Sequence, residues 1–217
     1  TGGFTIDGTR YELKTVNKRT GVHIHGGKTG FQRQNWQSES TAESVLFRLT
    51  SEDGHEGFPG KLEIEVLYAL TDENELRIEY TAVSDKPTHV NLTNHAYWNL
   101  GGDDSLAHQL SLNADSLLQI DDRKIPTGEF QPVIETAFEF DNHTVGSRID
   151  KISGGGYDHC YVINGWKRGA LSFAAKLADP ASGRVMEVWT TEPGVQLYTA
   201  NYLKPELGGP HAALCLE

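Results

Sequence analysis

The feature that most restricts the fold of this sequence is the alternation of apolar and polar residues in short segments. Residues 62–68 (LEIEVLY) and 75–80 (ELRIEY) alternate with a period of two, and a polar turn separates them. Residues 171–177 and 185–189 form a second pair of this kind around another turn. Because neighbouring side chains of a strand point to opposite faces, these segments predict sheets with one buried and one solvated face, as in antiparallel packing.

Turn signals recur along the whole chain, about every ten residues. Asp7 and Gly8 stand between apolar residues, and an Asp-Gly pair in this setting predicts a hairpin. Residues 41–49 fit either a short helix or a strand. No linker is long enough to divide the chain, so the predicted fold is all-β, a large antiparallel β-sandwich or barrel.

Composition excludes several classes of partner. The 217 residues include 30 acidic and 19 basic ones, for a net charge of −11. Nucleic acids and anionic membranes need clustered Lys and Arg, so neither is an expected partner.

No apolar run reaches the roughly 18 to 20 residues of a transmembrane helix, and no secretion signal is visible. Two cysteines make no disulfide scaffold, which predicts a reducing, cytoplasmic setting.

Residues 22–27 (VHIHGG) are the first candidate site. If this segment is a strand, His23 and His25 share a face, and such a pair can bind a metal when a third ligand is present. The alternative is a pair of ordinary histidines, one bonded to backbone and one solvated.

Residues 91–102 (NLTNHAYWNLGG) are the second candidate site. In an extended segment one face carries hydrogen-bonding side chains, namely Asn91, Thr93, His95, Tyr97 and Asn99. Such a face beside Trp98 suits a polyhydroxylated ligand, because amides and imidazole bind hydroxyls and aromatic rings cover C–H surfaces. The alternative is a polar ladder on a solvated sheet face.

Three further features lie in the second half of the chain. Asp158 and His159 come after a glycine run and are expected to face opposite ways. Gln196 and Tyr198 are expected to share one face of a strand. Glu217, considered alone, is a terminal residue without a role.

Five segments, in order, resemble motifs of the aldose 1-epimerase (galactose mutarotase) family. They are residues 25–31 (HGGKTGF), 51–60 (SEDGHEGFPG), 91–102, 156–159 (GYDH) and 192–199 (EPGVQLYT). The resemblance spans the chain and implies the family's large antiparallel supersandwich, galactose mutarotase-like. It also implies interconversion of the α and β anomers of free hexoses such as glucose and galactose, without metal or cofactor.

The resemblance implies residue roles as well. His95 takes the place of the general acid, and Glu217 that of the general base. For these roles we expect the two groups to face each other across a gap one sugar ring wide. The positions that match sugar contacts are His25, Tyr97, Asp158 and Gln196. The implied partner is a small-molecule sugar, bound by a monomer or homodimer. Family members continue past both ends, so residues 1–217 are expected to be an aldose 1-epimerase domain truncated at both ends.

Three other functions stay open at this point. A noncatalytic sugar-binding sandwich would use the same polar and aromatic face. A hexose-6-phosphate epimerase of the same fold would need clustered Arg and Lys, of which the motif segments have few. A His-x-His metal enzyme would depend on His23 and His25 and would lose activity on chelation.

Overall fold

A computed structural model of the chain describes residues 2–14, 16–17 and 21–217. The chain divides into two compact units, Thr1–Leu92 and Thr93–Glu217. Short 3-10 helices connect the strands, at Phe31–Arg33, His55–Gly57, Val145–Lys151 and Pro205–Leu207. Among the residues described, no helix is both long and apolar enough to cross a bilayer.

The first unit contains a hairpin and a sheet. Its strands are β1 (Gly3–Ile6), β2 (Thr9–Glu12), β3 (Gln37–Ser40), β4 (Ser44–Ser51), β5 (Leu62–Leu70) and β6 (Leu76–Ser84). Strands β1 and β2 pair antiparallel around Asp7 and Gly8, whose φ values of 49° and 79° are those of a tight hairpin turn. Strands β3 to β6 form one antiparallel sheet in chain order.

The strand β4 settles the segment 41–49, for which the sequence allowed a helix. Ser44–Ser51 pairs residue by residue with β5, and Leu46 lies opposite Leu67. The helical alternative is therefore wrong, because this segment completes its backbone hydrogen bonds with neighbouring strands. Ile64 and Val66 of β5 are buried and form the centre of this unit's core, as their alternation with glutamates predicts.

The second unit contains two antiparallel sheets. Its strands are β7 (Gln109–Leu112), β8 (Ser116–Ile120), β9 (Pro126–Pro132), β10 (His143–Thr144), β11 (Asp158–Val162), β12 (Ser172–Ala178), β13 (Val185–Thr190), β14 (Gly194–Tyr198) and β15 (Cys215–Leu216). One sheet has the order β10-β7-β12-β13, and the other has the order β15-β14-β11-β8-β9.

These two sheets share one core and form a sandwich. Leu110 of β7 and Leu177 of β12 are fully buried in the same cluster as Tyr161 of β11 and Leu197 of β14. Side chains on the opposite face of the β15-β14-β11 sheet point away from this core. The all-β, antiparallel fold class predicted from the sequence is confirmed.

Candidate active site

The segment after Leu92 runs extended without joining a sheet along its length. Exposed and half-buried residues alternate strictly over residues 93–100, and His95 and Tyr97 are on the exposed face, as predicted. Trp98 exchanges backbone hydrogen bonds of 2.7 and 3.0 Å with Leu214. This contact fastens the His95 segment beside the strand that leads to Glu217.

The outer face of the second sheet supplies the other polar groups. Asp158 of β11 lies opposite Tyr198 of β14, which in turn lies opposite Cys215 of β15. Two residues along the same strands, and so on the same face, Gln196 and Glu217 exchange backbone hydrogen bonds. Directly opposite residues of a sheet project to the same face, so these five side chains form a patch facing away from the core.

His95 and Glu217 meet at this patch. His95 Nδ1 lies 3.5 Å from Glu217 Oε1, and the two side chains are 36% and 11% exposed. The His95 ring stacks on Tyr97 at a centroid distance of 5.1 Å, and Tyr198 meets it edge-on at 6.0 Å. The expected gap one sugar ring wide between His95 and Glu217 is wrong, because the two groups are near neighbours.

The carboxyl group of Glu217 is in an unusual electrostatic environment. Burial, followed by repulsion from Asp158, raises its pKa from 4.5 to about 7. A carboxyl group with this pKa exchanges protons near neutral pH, which suits a general base. The idea that Glu217 is a terminal residue without a role does not fit this burial and pairing.

Asp158 sits in a hydrogen-bonded group beside the pair. Its Oδ1 accepts a 2.9 Å hydrogen bond from Gln196 Nε2, and Lys124 Nζ lies 3.9 Å from its Oδ2. His159 turns the other way, as predicted, and packs edge-on against Phe138 with ring centroids 4.8 Å apart. Burial lowers the pKa of His159 to about 4, so this residue is a neutral core histidine.

One group of side chains in the described part of the chain has metal-ligand spacing, and it lies at this site. Ligand atoms of His95, Cys215 and Glu217 are all within 4.8 Å of one another. Burial raises the pKa of the Cys215 thiol to about 12, which keeps it protonated in the metal-free protein.

His25 and His23 belong to the first unit, in a loop rather than a strand. His25 begins a turn with φ of 52°, a left-handed conformation that a strand residue does not adopt. The segment is therefore not the strand on which a shared face of His23 and His25 would depend. The sugar-binding role of His25 stays a prediction from the resemblance.

Three residues at the patch were missing from the predicted site. Strand periodicity placed Tyr198 on the face of Gln196 without giving it a role at the site, and it would have placed Cys215 beside Glu217 in the same way. Lys124 carries no such signal, because it reaches Asp158 from the turn between β8 and β9.

Comparison with known proteins gives this geometry a context. The family model described as "Aldose 1-epimerase" matches residues 1–217. The chain belongs to the aldose 1-epimerase family. The resemblance drawn from the five motifs is thereby confirmed, and so is the galactose mutarotase-like fold.

Relatives within the family are similar over most or all of the chain. Human galactose mutarotase is 40% identical over 100% of this chain, and aldose 1-epimerase of Haemophilus influenzae is 36% identical over 88% of it. The solved structure of an aldose epimerase homologue from C. elegans has a TM-score of 0.88 at 30% identity, covering 99% of this chain and 67% of its own. The alignments cover 65% of the human relative and 58% of the bacterial one.

Proposed function

We propose that this chain belongs to a mutarotase, an isomerase that interconverts the α and β anomers of free hexoses such as glucose and galactose. The observation that carries the proposal is the 3.5 Å approach of His95 Nδ1 to Glu217 Oε1. Both oxygens that exchange protons in mutarotation, the C1 hydroxyl and the ring oxygen, are bonded to C1. The acid and the base that serve them must therefore both reach the region around one carbon atom, and the approach of His95 to Glu217 allows this.

The proposed reaction uses these two groups in turn. The Glu217 carboxylate takes the proton of the C1 hydroxyl, and the protonated imidazole of His95 donates a proton to the ring oxygen as the bond between C1 and that oxygen breaks. Rotation about C1–C2 of the open aldehyde exposes its other face. On reclosure Glu217 returns its proton to the carbonyl oxygen and His95 takes one back from the attacking hydroxyl, which restores the enzyme.

The surrounding side chains are proposed to hold the sugar. Asp158 and Gln196, already joined by a 2.9 Å hydrogen bond, offer an acceptor and an amide to sugar hydroxyls. Tyr97 presents an exposed ring beside His95 for a C–H face of the sugar. His25, which belongs to the first unit, is proposed as a sugar contact from the family resemblance alone.

Polarimetry on freshly dissolved α-glucose or α-galactose tests the proposal in the full-length protein. The variants His95→Asn and Glu217→Gln should each lower kcat by about 10² to 10⁴-fold, with little change in KM. Glu187→Gln, on an exposed strand of the other sheet, serves as a matched control and should leave both constants unchanged. Normal rates in either site variant would contradict the assignment.

Lys124 gives a reason to test a second candidate, a hexose-6-phosphate epimerase. Its ammonium group lies at the site but is 3.9 Å from the Asp158 carboxylate, which offsets its charge. We therefore expect higher kcat/KM for glucose than for glucose 6-phosphate. The reverse order would favour the phosphorylated substrate, and sugar binding without any mutarotation would favour a noncatalytic binding protein.

The setting and extent of the protein are part of the same proposal. Cys160 and Cys215 are both free thiols, which supports a reducing, cytoplasmic compartment. The family match to residues 1–217, together with coverage of 65% of the human relative, supports part of a single aldose 1-epimerase domain. We propose a monomer or homodimer, which size-exclusion chromatography with light scattering distinguishes.

A further inference from the structure

The proposed acid–base pair has a third neighbour that mutarotation does not need. Cys215 and Glu217 are two residues apart at the end of the chain, so strand geometry directs both side chains to the same face of the sheet. His95 reaches them from the extended segment fastened by the Trp98–Leu214 contact. One nitrogen, one sulfur and one oxygen ligand atom thereby lie within 4.8 Å of one another.

This set of donors has the chemistry of a zinc site. Zinc is held by imidazole nitrogen, thiolate sulfur and carboxylate oxygen, and three protein ligands leave one position for water. Thiolate favours zinc over magnesium or calcium, which prefer oxygen ligands. Bond lengths of about 2.0 to 2.3 Å place tetrahedral ligand atoms roughly 3.5 Å apart, so the group closes on an ion with movements of about 1 Å.

The three ligand side chains differ in how freely they can move towards a bound ion. Cys215 and Glu217 are held by backbone hydrogen bonds to β14, so their backbone positions are fixed before an ion binds. The His95 side chain is about one-third exposed, and its rotation is the simplest way to complete the site. On binding, the buried Cys215 thiol releases its proton to solvent and coordinates as thiolate.

We propose that His95, Cys215 and Glu217 form a reversible binding site for a thiophilic divalent cation such as Zn²⁺. The ion occupies both groups assigned to proton transfer, so it inhibits the enzyme in competition with sugar. The inhibition depends on the proposed function, whereas the binding site does not.

Titration of the metal-free, full-length protein with Co²⁺ tests the site without reference to activity. One Co²⁺ per chain should bind and produce the thiolate-to-cobalt charge-transfer absorption, which added Zn²⁺ abolishes by displacement. Cys215→Ala and Cys215→Ser should both lose this absorption, so a folding defect in one variant does not decide the result. His95→Asn and Glu217→Gln should weaken the affinity by more than about tenfold.

Cys160→Ala is the matched control, because Cys160 is the other free thiol and also lies on the outer face of this sheet. It should retain the full charge-transfer absorption and affinity. An absent thiolate band in the unaltered protein, or a band lost in Cys160→Ala and kept in Cys215→Ala, would overturn the site.

A kinetic measurement then separates the two proposals. With sugar at several concentrations, Zn²⁺ should raise the apparent KM without lowering kcat, and EDTA should restore the original rate. Co²⁺ binding at Cys215 in a protein that does not mutarotate sugars would support the metal site and contradict the proposed function. Mutarotation without Co²⁺ binding would support the proposed function and contradict the metal site.

Discussion

Gln196 and Glu217 exchange two backbone hydrogen bonds. The Gln196 amide donates to the Glu217 carbonyl at 2.6 Å, and the Glu217 amide donates to the Gln196 carbonyl at 3.1 Å. This pairing continues the β14–β15 ladder by one residue and holds the Glu217 carboxyl group against the outer face of the sheet. The same row also carries Cys160 on the next strand. The carboxyl group of Glu217 is thus held firmly at the candidate site.

The pH dependence of catalysis should report the ionisation of Glu217. The base form is the carboxylate, and its pKa is raised by burial and by Asp158 to about 7. We therefore expect kcat/KM, measured in EDTA by polarimetry, to fall on the acid side with a midpoint near pH 7 rather than near pH 4.5. The groups facing Glu217 are His95, Cys215 and Asp158, and a midpoint unchanged from that of an ordinary glutamate would contradict this account.

Replacing Asp158 by Asn should move that midpoint. Repulsion from the Asp158 carboxylate is the second cause of the raised Glu217 pKa, and an amide removes it. The acid limb should shift to lower pH, while KM rises because a sugar contact is altered. Glu187→Gln removes a charge on the other sheet and should leave the midpoint in place. Equal shifts in both variants would mean that net charge alone sets the pKa.

The stability of the Glu217→Gln variant should depend on pH with a defined sign. In the unfolded chain Glu217 loses its proton near pH 4.5, but in the folded protein it retains it until about pH 7. The free energy of unfolding of the parent protein therefore falls as pH rises between these values. At pH 8 the variant should be more stable than the parent, by up to about 3 kcal/mol.

Thermal or urea unfolding at pH 4.5 and pH 8 measures this difference. Near pH 4.5 the advantage of Glu217→Gln should be mostly absent, because the folded parent is then uncharged at this position. An advantage at pH 4.5 as large as that at pH 8 would show that burial of the charge is not its cause.

The glycine before β11 should be required for the placement of Asp158. Gly156 has φ of 148°, and a Cβ there would collide with Asn201 Oδ1 and Thr199 Oγ1. Thr199 Oγ1 accepts a 2.9 Å hydrogen bond from the Tyr157 amide, directly before the strand that carries Asp158. Gly156→Ala should therefore lower the free energy of unfolding and raise KM.

Gly155→Ala is the matched control for this prediction. Gly155 also has positive φ, at 82°, but nothing lies within 4 Å of an added Cβ. It should cost about 1 kcal/mol from backbone strain alone, and Gly156→Ala at least about 2 kcal/mol more. Equal losses in urea unfolding would mean that the contacts with Thr199 and Asn201 do not matter.

The residue pattern predicts the structure correctly where a strand and the next strand along the chain determine it. The Asp7-Gly8 hairpin and the alternation of residues 62–68 follow from turn chemistry and from the period of a strand. Pattern was a poor guide at residues 22–25, where β-branched and apolar neighbours resemble a strand but His25 has positive φ. A short segment cannot reveal whether a partner strand exists to accept its hydrogen bonds.

The sequence by itself determined the all-β class, the faces of the strands and, through ordered motifs, the family. Each of these depends on neighbours along the chain or on residue identity. Only the tertiary structure decided that His95 lies 3.5 Å from Glu217, that Cys215 joins them and that Lys124 reaches Asp158. These distances arise because segments far apart in the chain pack together. The pKa of Glu217 is raised because that packing excludes water from its carboxyl group, and no local pattern shows which segments will meet.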